Sequence, residues 1–227
     1  MKHLILLCLT LFVFSCGNEK VIQLPEINHS KITDLKDISA AYLFYNETKA
    51  DSVELNRKNL IVSTNWVVNV DKRLTLKQVI PHIKFLQNKK LNSSHKNEKA
   101  KNYFTCNDIA NKNLGFIEFT DVVYTDKKNI INYSKASDLK SLKNQITISF
   151  NSSNIARIFN PNSETFSIKI DKDQVLKSLK NIDFPENIIY FDFNSDLLFQ
   201  DYITYKSIIS KANLKQAKTS NQEFIYN

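Results

Sequence analysis

Glycine is nearly missing: the 227-residue chain has two, Gly17 and Gly115. Loops that cradle phosphates on backbone amides, and the sharp elbows that present nucleophilic serines, need glycine at fixed places. The chain accordingly has no GxGxxG, no P-loop and no GxSxG. Histidine is scarce too. His3, His29, His82 and His95 are far apart, and none sits in an HxxxH or HExxH setting, so neither a metal nor a cofactor is expected. There are three cysteines, Cys8, Cys16 and Cys106. No apolar run reaches the roughly 20 residues that a bilayer-crossing helix needs.

What is present begins at the front. Residues 1–15, MKHLILLCLTLFVFS, pair a positive Lys2 with a short apolar run, the pattern of a secretory signal peptide. Its end, Val13-Phe14-Ser15-Cys16, resembles a bacterial lipobox: a branched apolar residue, a variable one, a small one, then cysteine. The resemblance implies diacylglycerol on Cys16, cleavage before it and acylation of the new terminus, hence a membrane contact through lipid. Gly17 and Asn18 lack the aspartate that holds some lipoproteins in the inner membrane, so the expected location is the bacterial cell envelope, on the outer membrane facing the periplasm. Cys106 would then be alone. In YFTCN it reads as a buried small apolar residue or a reactive thiol.

Residues 16–38 are polar and irregular, with Pro25, and read as a tether. Residues 39–128 and 145–227 read as two α+β modules, separated by a Lys- and Ser-rich stretch. In the second, alternation predicts strands at 146–150, 155–159 and 166–170. Asp171 or Asp173 caps a helix carrying Val175, Leu176, Leu179 and Ile182. A strand NIIYFDFN, a helix over about 200–213 and a last strand EFIY follow. In the first module, NLIVSTNWVVNV at 59–70 reads as a strand. Thr75-x-x-Gln78 opens a helix that Pro81 should kink or shorten. YFTCN and LGFIEFTDVVY read as two more strands. The fold class expected is α+β, mixed sheets with helices packed on one face. Short echoes, Val70-Asp71-Lys72 with Ile170-Asp171-Lys172 and Tyr103-Phe104 with Tyr190-Phe191, leave open whether the modules are a duplication.

Residues 145–227 resemble the periplasmic domain of the ExbD/TolR family, stator partners of inner-membrane proton channels. The resemblance rests on ITISFNSSN, DQVLKSLKNI, IIYFDFNSD and YITYKSIISKANL. It implies that Asp196, after the strand, and Tyr202, early in the helix, hold places of partner contact. It also implies pairing with itself as a homodimer, or with envelope components that include peptidoglycan. Two features depart from the family. No transmembrane helix with a proton-relaying aspartate is present, and Asn213 stands where a glycine tends to end the helix.

Two further patterns carry chemistry. Asp192 and Asp196, with Glu118, are the best candidates for a carboxylate pair in glycan hydrolysis, against the plainer reading of solvated carboxylates. The stretch 84–101, with Lys84, Lys89, Lys90, Lys96, Lys99 and Lys101, reads as a solvated basic loop or a contact for anionic polymer. The net charge of +8 is shared among abundant lysines and is not read as a nucleic-acid footprint. The leading expectation is a lipid-anchored, noncatalytic binding or scaffolding protein of the envelope. The alternatives are an accessory of an ExbD/TolR-like energised transport system and an envelope glycan hydrolase.

Overall fold

The computed structural model describes residues 20–95, 97–127 and 142–227. The expected signal peptide, residues 1–15, and Cys16 lie outside the described residues, as does most of the stretch between the modules. The first half gives β1 (Glu26–Ile27), β2 (Ile38–Tyr45), β3 (Val53–Asn56), β4 (Asn65–Val70), α1 (Leu76–Leu91), β5 (Asn102–Asp108), β6 (Asn113–Glu118) and β7 (Val123–Thr125). The second gives β8 (Gln145–Phe150), β9 (Ile155–Phe159), β10 (Ser167–Asp171), α2 (Lys172–Asn181), β11 (Ile188–Asn194), α3 (Phe199–Ala212) and β12 (Lys218–Tyr226).

These elements form an α+β fold with two mixed six-stranded sheets. In the first sheet β3 pairs antiparallel with β2, and β2, β4 and β5 run parallel. In the second, β9 pairs antiparallel with β8, and β8, β11 and β12 run parallel. The halves are therefore topological copies, with β2-β3-β4-α1-β5 matching β8-β9-β11-α3-β12. The hairpin partner β10 and helix α2 are extra to the second. The sequence echoes do not mark this likeness. Val70-Asp71-Lys72 precedes α1, whose counterpart is α3, whereas Ile170-Asp171-Lys172 precedes α2.

Where the halves meet, Thr75 and Leu198 form an antiparallel bridge. The first amides of a helix have no partner inside it. Here each helix finds those partners in the other half. Leu76 N–H donates to Leu197 O at 2.9 Å and Lys77 N–H to Ser195 O at 2.9 Å. Reciprocally, Phe199 N–H donates to Leu74 O at 2.7 Å and Gln200 N–H to Lys72 O at 3.3 Å. This accounts for Leu198 standing at the start of α3 with no side-chain cap. At the other end of α3, Asn213 takes the left-handed conformation, φ 49°, as a glycine would.

The modules are not self-contained. β7 comes from the first half but pairs parallel with β12 in the second sheet. One apolar core joins both, with Phe104 of β5 edge-on to Phe199 and Tyr202 of α3 at 5.1 and 6.2 Å. The stretch LGFIEFTDVVY is thus two strands on two sheets. Phe119 leaves the first strand to stack on Phe104 at 4.0 Å, and Val122 N–H closes a turn on Phe119 O. NLIVSTNWVVNV also breaks, because Trp66 Nε1 donates back to Ile61 O at 2.7 Å and folds residues 59–64 into turns. Helix α1 is not cut short by Pro81. Its buried stripe of Val79, Ile80, Ile83 and Leu86 lies on both sides of the proline and holds it to Leu91.

Much of the expected tether is bonded to the fold, with Glu26–Ile27 as a short strand on the first sheet. Lys72 N–H donates to Gln23 O at 2.7 Å, and Asn107 and Ile109 N–H donate to Pro25 O and Ile27 O. Gln200 grips Glu26 twice, accepting its N–H and donating to its carbonyl, each at 2.9 Å. Asp108 accepts Ser30 N–H at 2.7 Å. Sequence reading failed here because the tether enters these bonds through its backbone groups, which carry no residue-specific signal. Gly115 permits the closest approach: a Cβ on it would meet Ser30 Cβ at 2.5 Å. Gly115→Ala is expected to destabilise the protein by about 1–3 kcal/mol, the usual cost of forcing extra volume into a packed site. Chemical denaturation of the two forms checks this.

Candidate functional site

Two clefts open beside the helices, one on α3 and one on α1. The first, about 490 Å³, runs between residues 27–32, the end of β6 and the outer turns of α3. Ile27, Ile117 and Ile209 make its apolar floor. His29, Lys31, Lys206 and Lys211 line it with one carboxylate, Glu118. Lys31 Nζ donates to Ser210 O at 2.9 Å across the cleft, and Lys101 pairs with Glu118 at 3.0 Å. The second cleft, about 530 Å³, is its counterpart on α1, with Leu76, Lys77, Ile80, Pro81 and Lys84 facing Ile225, Tyr226 and Asn227.

Behind the first cleft is a buried polar chain. Lys206 Nζ donates to Glu223, which is 2% exposed. The other oxygen of Glu223 accepts the Tyr202 hydroxyl at 2.7 Å, and Tyr202 shares a hydrogen bond with Tyr124 at 3.1 Å. Strand register puts Glu223 opposite Phe191 on β12, the place Phe104 holds opposite Val68 on β5. A carboxylate thus replaces a phenyl ring on the inner face, and its pairing offsets the cost of burying it. Burial first, then the Glu223 charge, pushes both tyrosine hydroxyls well above their usual value, so they stay protonated. The chain holds Lys206 in place at the cleft wall.

Tyr202 is therefore not a surface contact. It is fully buried, since its position on the stripe Phe199, Tyr202, Ile203 faces the shared core. Asp196 is exposed, on the turn before α3, and pairs with Lys77 of the other half at 2.9 Å. The structure does not bring the three carboxylates together. Asp192 is buried in β11, on the face away from Phe191 and Phe193. Asp196 is at the junction, and Glu118 borders the first cleft, which neither of the others lines. Among the described residues no group of three or more His, Cys, Asp or Glu side chains is placed to hold a metal ion.

The basic stretch also differs from its expectation, because α1 carries the chain to Leu91. Lys84 pairs with Asp126, and Lys90 is buried. Lys90 donates to Thr64 O, Lys101 O and Asn102 Oδ1 at 3.2, 3.1 and 3.0 Å, and stands 5.0 Å from the Trp66 ring centre. Its ammonium ties together the starts of β4 and β5. The signal for this was its spacing of four from Leu86 on the buried stripe. Cys106 is fully buried in β5, and burial pushes its thiol up to about 12. Compared with family models, with curated proteins and with solved structures, the chain finds no match in any of the three.

Burial pushes the Lys90 ammonium down from 10.5 to about 8. Between those values the unfolded chain holds a proton that the folded protein has lost. Lys90 by itself should therefore add stability as the pH is raised from 8 towards 10.5. Against this stands the loss from Cys106, whose thiol burial raises from 9.0 to about 12, and from the buried tyrosines. The stability of Lys90→Met relative to the wild type should fall across that range. At neutral pH the substitution should cost about 1–3 kcal/mol, since three buried acceptors lose their donor. Denaturation curves across the pH range test both. In a Cys8→Ser/Cys16→Ser variant, Cys106 should resist a thiol reagent in the folded protein and react on unfolding, with absorbance of the released chromophore as the readout.

Proposed function

We propose that this is a lipid-anchored, noncatalytic protein of the bacterial cell envelope that binds a protein partner or peptidoglycan. The observation that carries the reading is Val13-Phe14-Ser15-Cys16 at the end of a short apolar run. Acyl chains on Cys16 would supply the membrane attachment, each buried methylene contributing about 0.8 kcal/mol. The binding surface proposed is the cleft between residues 27–32 and α3. Its apolar floor under Lys31, Lys206 and Lys211 suits an extended chain bearing carboxylates, as acidic protein segments and peptidoglycan stem peptides do. The different settings of Asp192, Asp196 and Glu118 favour binding over hydrolysis.

A second reading is an accessory role in an ExbD/TolR-like energised transport system. It is favoured by the element order β8 to β12, and by a first half that copies most of it. Two such domains in one chain would stand for the pair that the family resemblance implies. Its distinguishing outcome is copurification with a channel-forming inner-membrane protein.

Intact mass and membrane fractionation should show acyl mass on the native protein and release of Cys16→Ser from the membrane. An unlipidated, membrane-free wild type would overturn the anchor. Crosslinked cells should yield a protein partner or peptidoglycan fragments with the wild type, and severalfold less with Lys31→Glu/Lys211→Glu. An unchanged yield would remove the cleft from the proposal.

A further inference from the structure

The described residues begin at Lys20, close to Cys16 in the chain, so an anchor on Cys16 bears on which part of the protein meets the membrane. Gln23 is pinned between Asp71 and Lys72: its N–H donates to Asp71 Oδ2 at 3.2 Å, and its carbonyl accepts Lys72 N–H at 2.7 Å. Lys20 pairs with Glu54 of β3. Glu54 also accepts Asn46 Nδ2 at 2.6 Å, and Asn46 closes the β2–β3 turn by donating its N–H to Ser52 O at 2.9 Å. Thr48 bonds Asn46 Oδ1 through both its N–H and its hydroxyl. Lys20, Glu54 and the turn are thus one bonded unit.

Three residues, Gly17, Asn18 and Glu19, separate Lys20 from Cys16. Four Cα steps span at most about 14 Å. From Ser39 to Tyr45 the strand β2 alone covers about 20 Å at 3.3 Å per residue. A short leash of this kind cannot let the protein range freely above the lipid. We infer that Lys20, Val21 and the β2–β3 turn, residues 46–52, rest against the lipid headgroups of the membrane that holds Cys16, with β2 directed away from it. The inference rests on the lipid anchor proposed above. The surface fits that place. Val21 is 74% exposed, residues 47–50 of the turn are exposed, and Lys49 makes no ion pair among the described residues. An aliphatic side chain and a free ammonium match the boundary between acyl chains and phosphates.

The far end of β2 supplies the control. Ile61 is 58% exposed, and its N–H bonds Ser39 Oγ at 3.1 Å, at the start of β2. Ala50→Cys and Ile61→Cys would each be labelled with a fluorophore in the lipidated full-length protein purified from membranes. The lipid on Cys16 and the burial of Cys106 leave the introduced thiol as the reactive one. The labelled proteins go into vesicles of phosphatidylethanolamine and phosphatidylglycerol with a nitroxide on the headgroup. The label at position 50 should be quenched severalfold more than that at 61. Equal quenching, or more at 61, on protein whose mass includes the acyl groups overturns the orientation and leaves the anchor standing. A preparation without acyl mass overturns both. A flexible insert of about 20 Gly/Ser residues between Glu19 and Lys20 should bring quenching at 50 down to the level at 61. Undiminished quenching there overturns the short leash as the cause.

Discussion

The structure depends on the exchange of helix amides across the junction. A helix begins with amides that have no partner of their own, and burying them unpaired would cost about 1–3 kcal/mol each. The usual remedy is a side chain at the cap. Here Leu76, Lys77, Phe199 and Gln200 donate instead to carbonyls of the opposite strand-to-helix turn. α1 also carries the capping box of Thr75 and Gln78, whereas α3 has no side-chain cap and takes its first partners from the first half. The two halves are thus joined backbone to backbone at this junction. The sheets then lie so that β7 can leave one half and complete the other.

That arrangement decides what the core must tolerate. α3 packs against its own sheet through Phe150 and Phe193, and against the first half through Phe104. Tyr202 sits where the two surfaces converge, with a ring to fill the space and a hydroxyl to meet Glu223. A buried carboxylate is costly unless paired, and Lys206 pairs it from the cleft side. Lys90 solves a similar problem without an acid. It brings a charge under the ends of two strands, where three acceptors and the Trp66 ring surround it. Lys90 is an interior part that looks like a surface residue in the sequence, and Lys206 is half-buried at the cleft wall.

How much was legible follows from the kind of signal. The second half was readable because its strands alternate cleanly and its helices carry caps: Asp171 with Gln174, and Asn213 at the end of α3. β2 was not read at all, although Ala41 and Leu43 alternate within ISAAYLFY, because two neighbouring alanines blur the period. Residues 20–32 could not be read as part of the sheet, since their hold comes from backbone groups. Among the site residues, Asp196 stands on the turn before the helix, and its partner there, Lys77, is distant in sequence. Tyr202 was on the right helix, with its burial set by a second surface that local periodicity does not describe. The cleft was invisible for the same reason, as its walls come from residues 27–32, 116–118 and 206–211.

By itself the sequence determined the α+β class, most strands and helices, and the pattern at Cys16 on which the proposed anchor rests. These are local properties: periods of two and of 3.6, caps, and a run of four residues. Only the tertiary structure decided that the halves are topological copies with a shared core, that the supposed tether is bonded to the fold at Gln23 and over residues 25–27 and 30–32, and that Lys90, Tyr202 and Glu223 are interior. Those outcomes turn on which orphan amide meets which carbonyl, and which side chain lies under a strand from the other half. Such pairings join residues far apart in the chain, and no local pattern of residues encodes them.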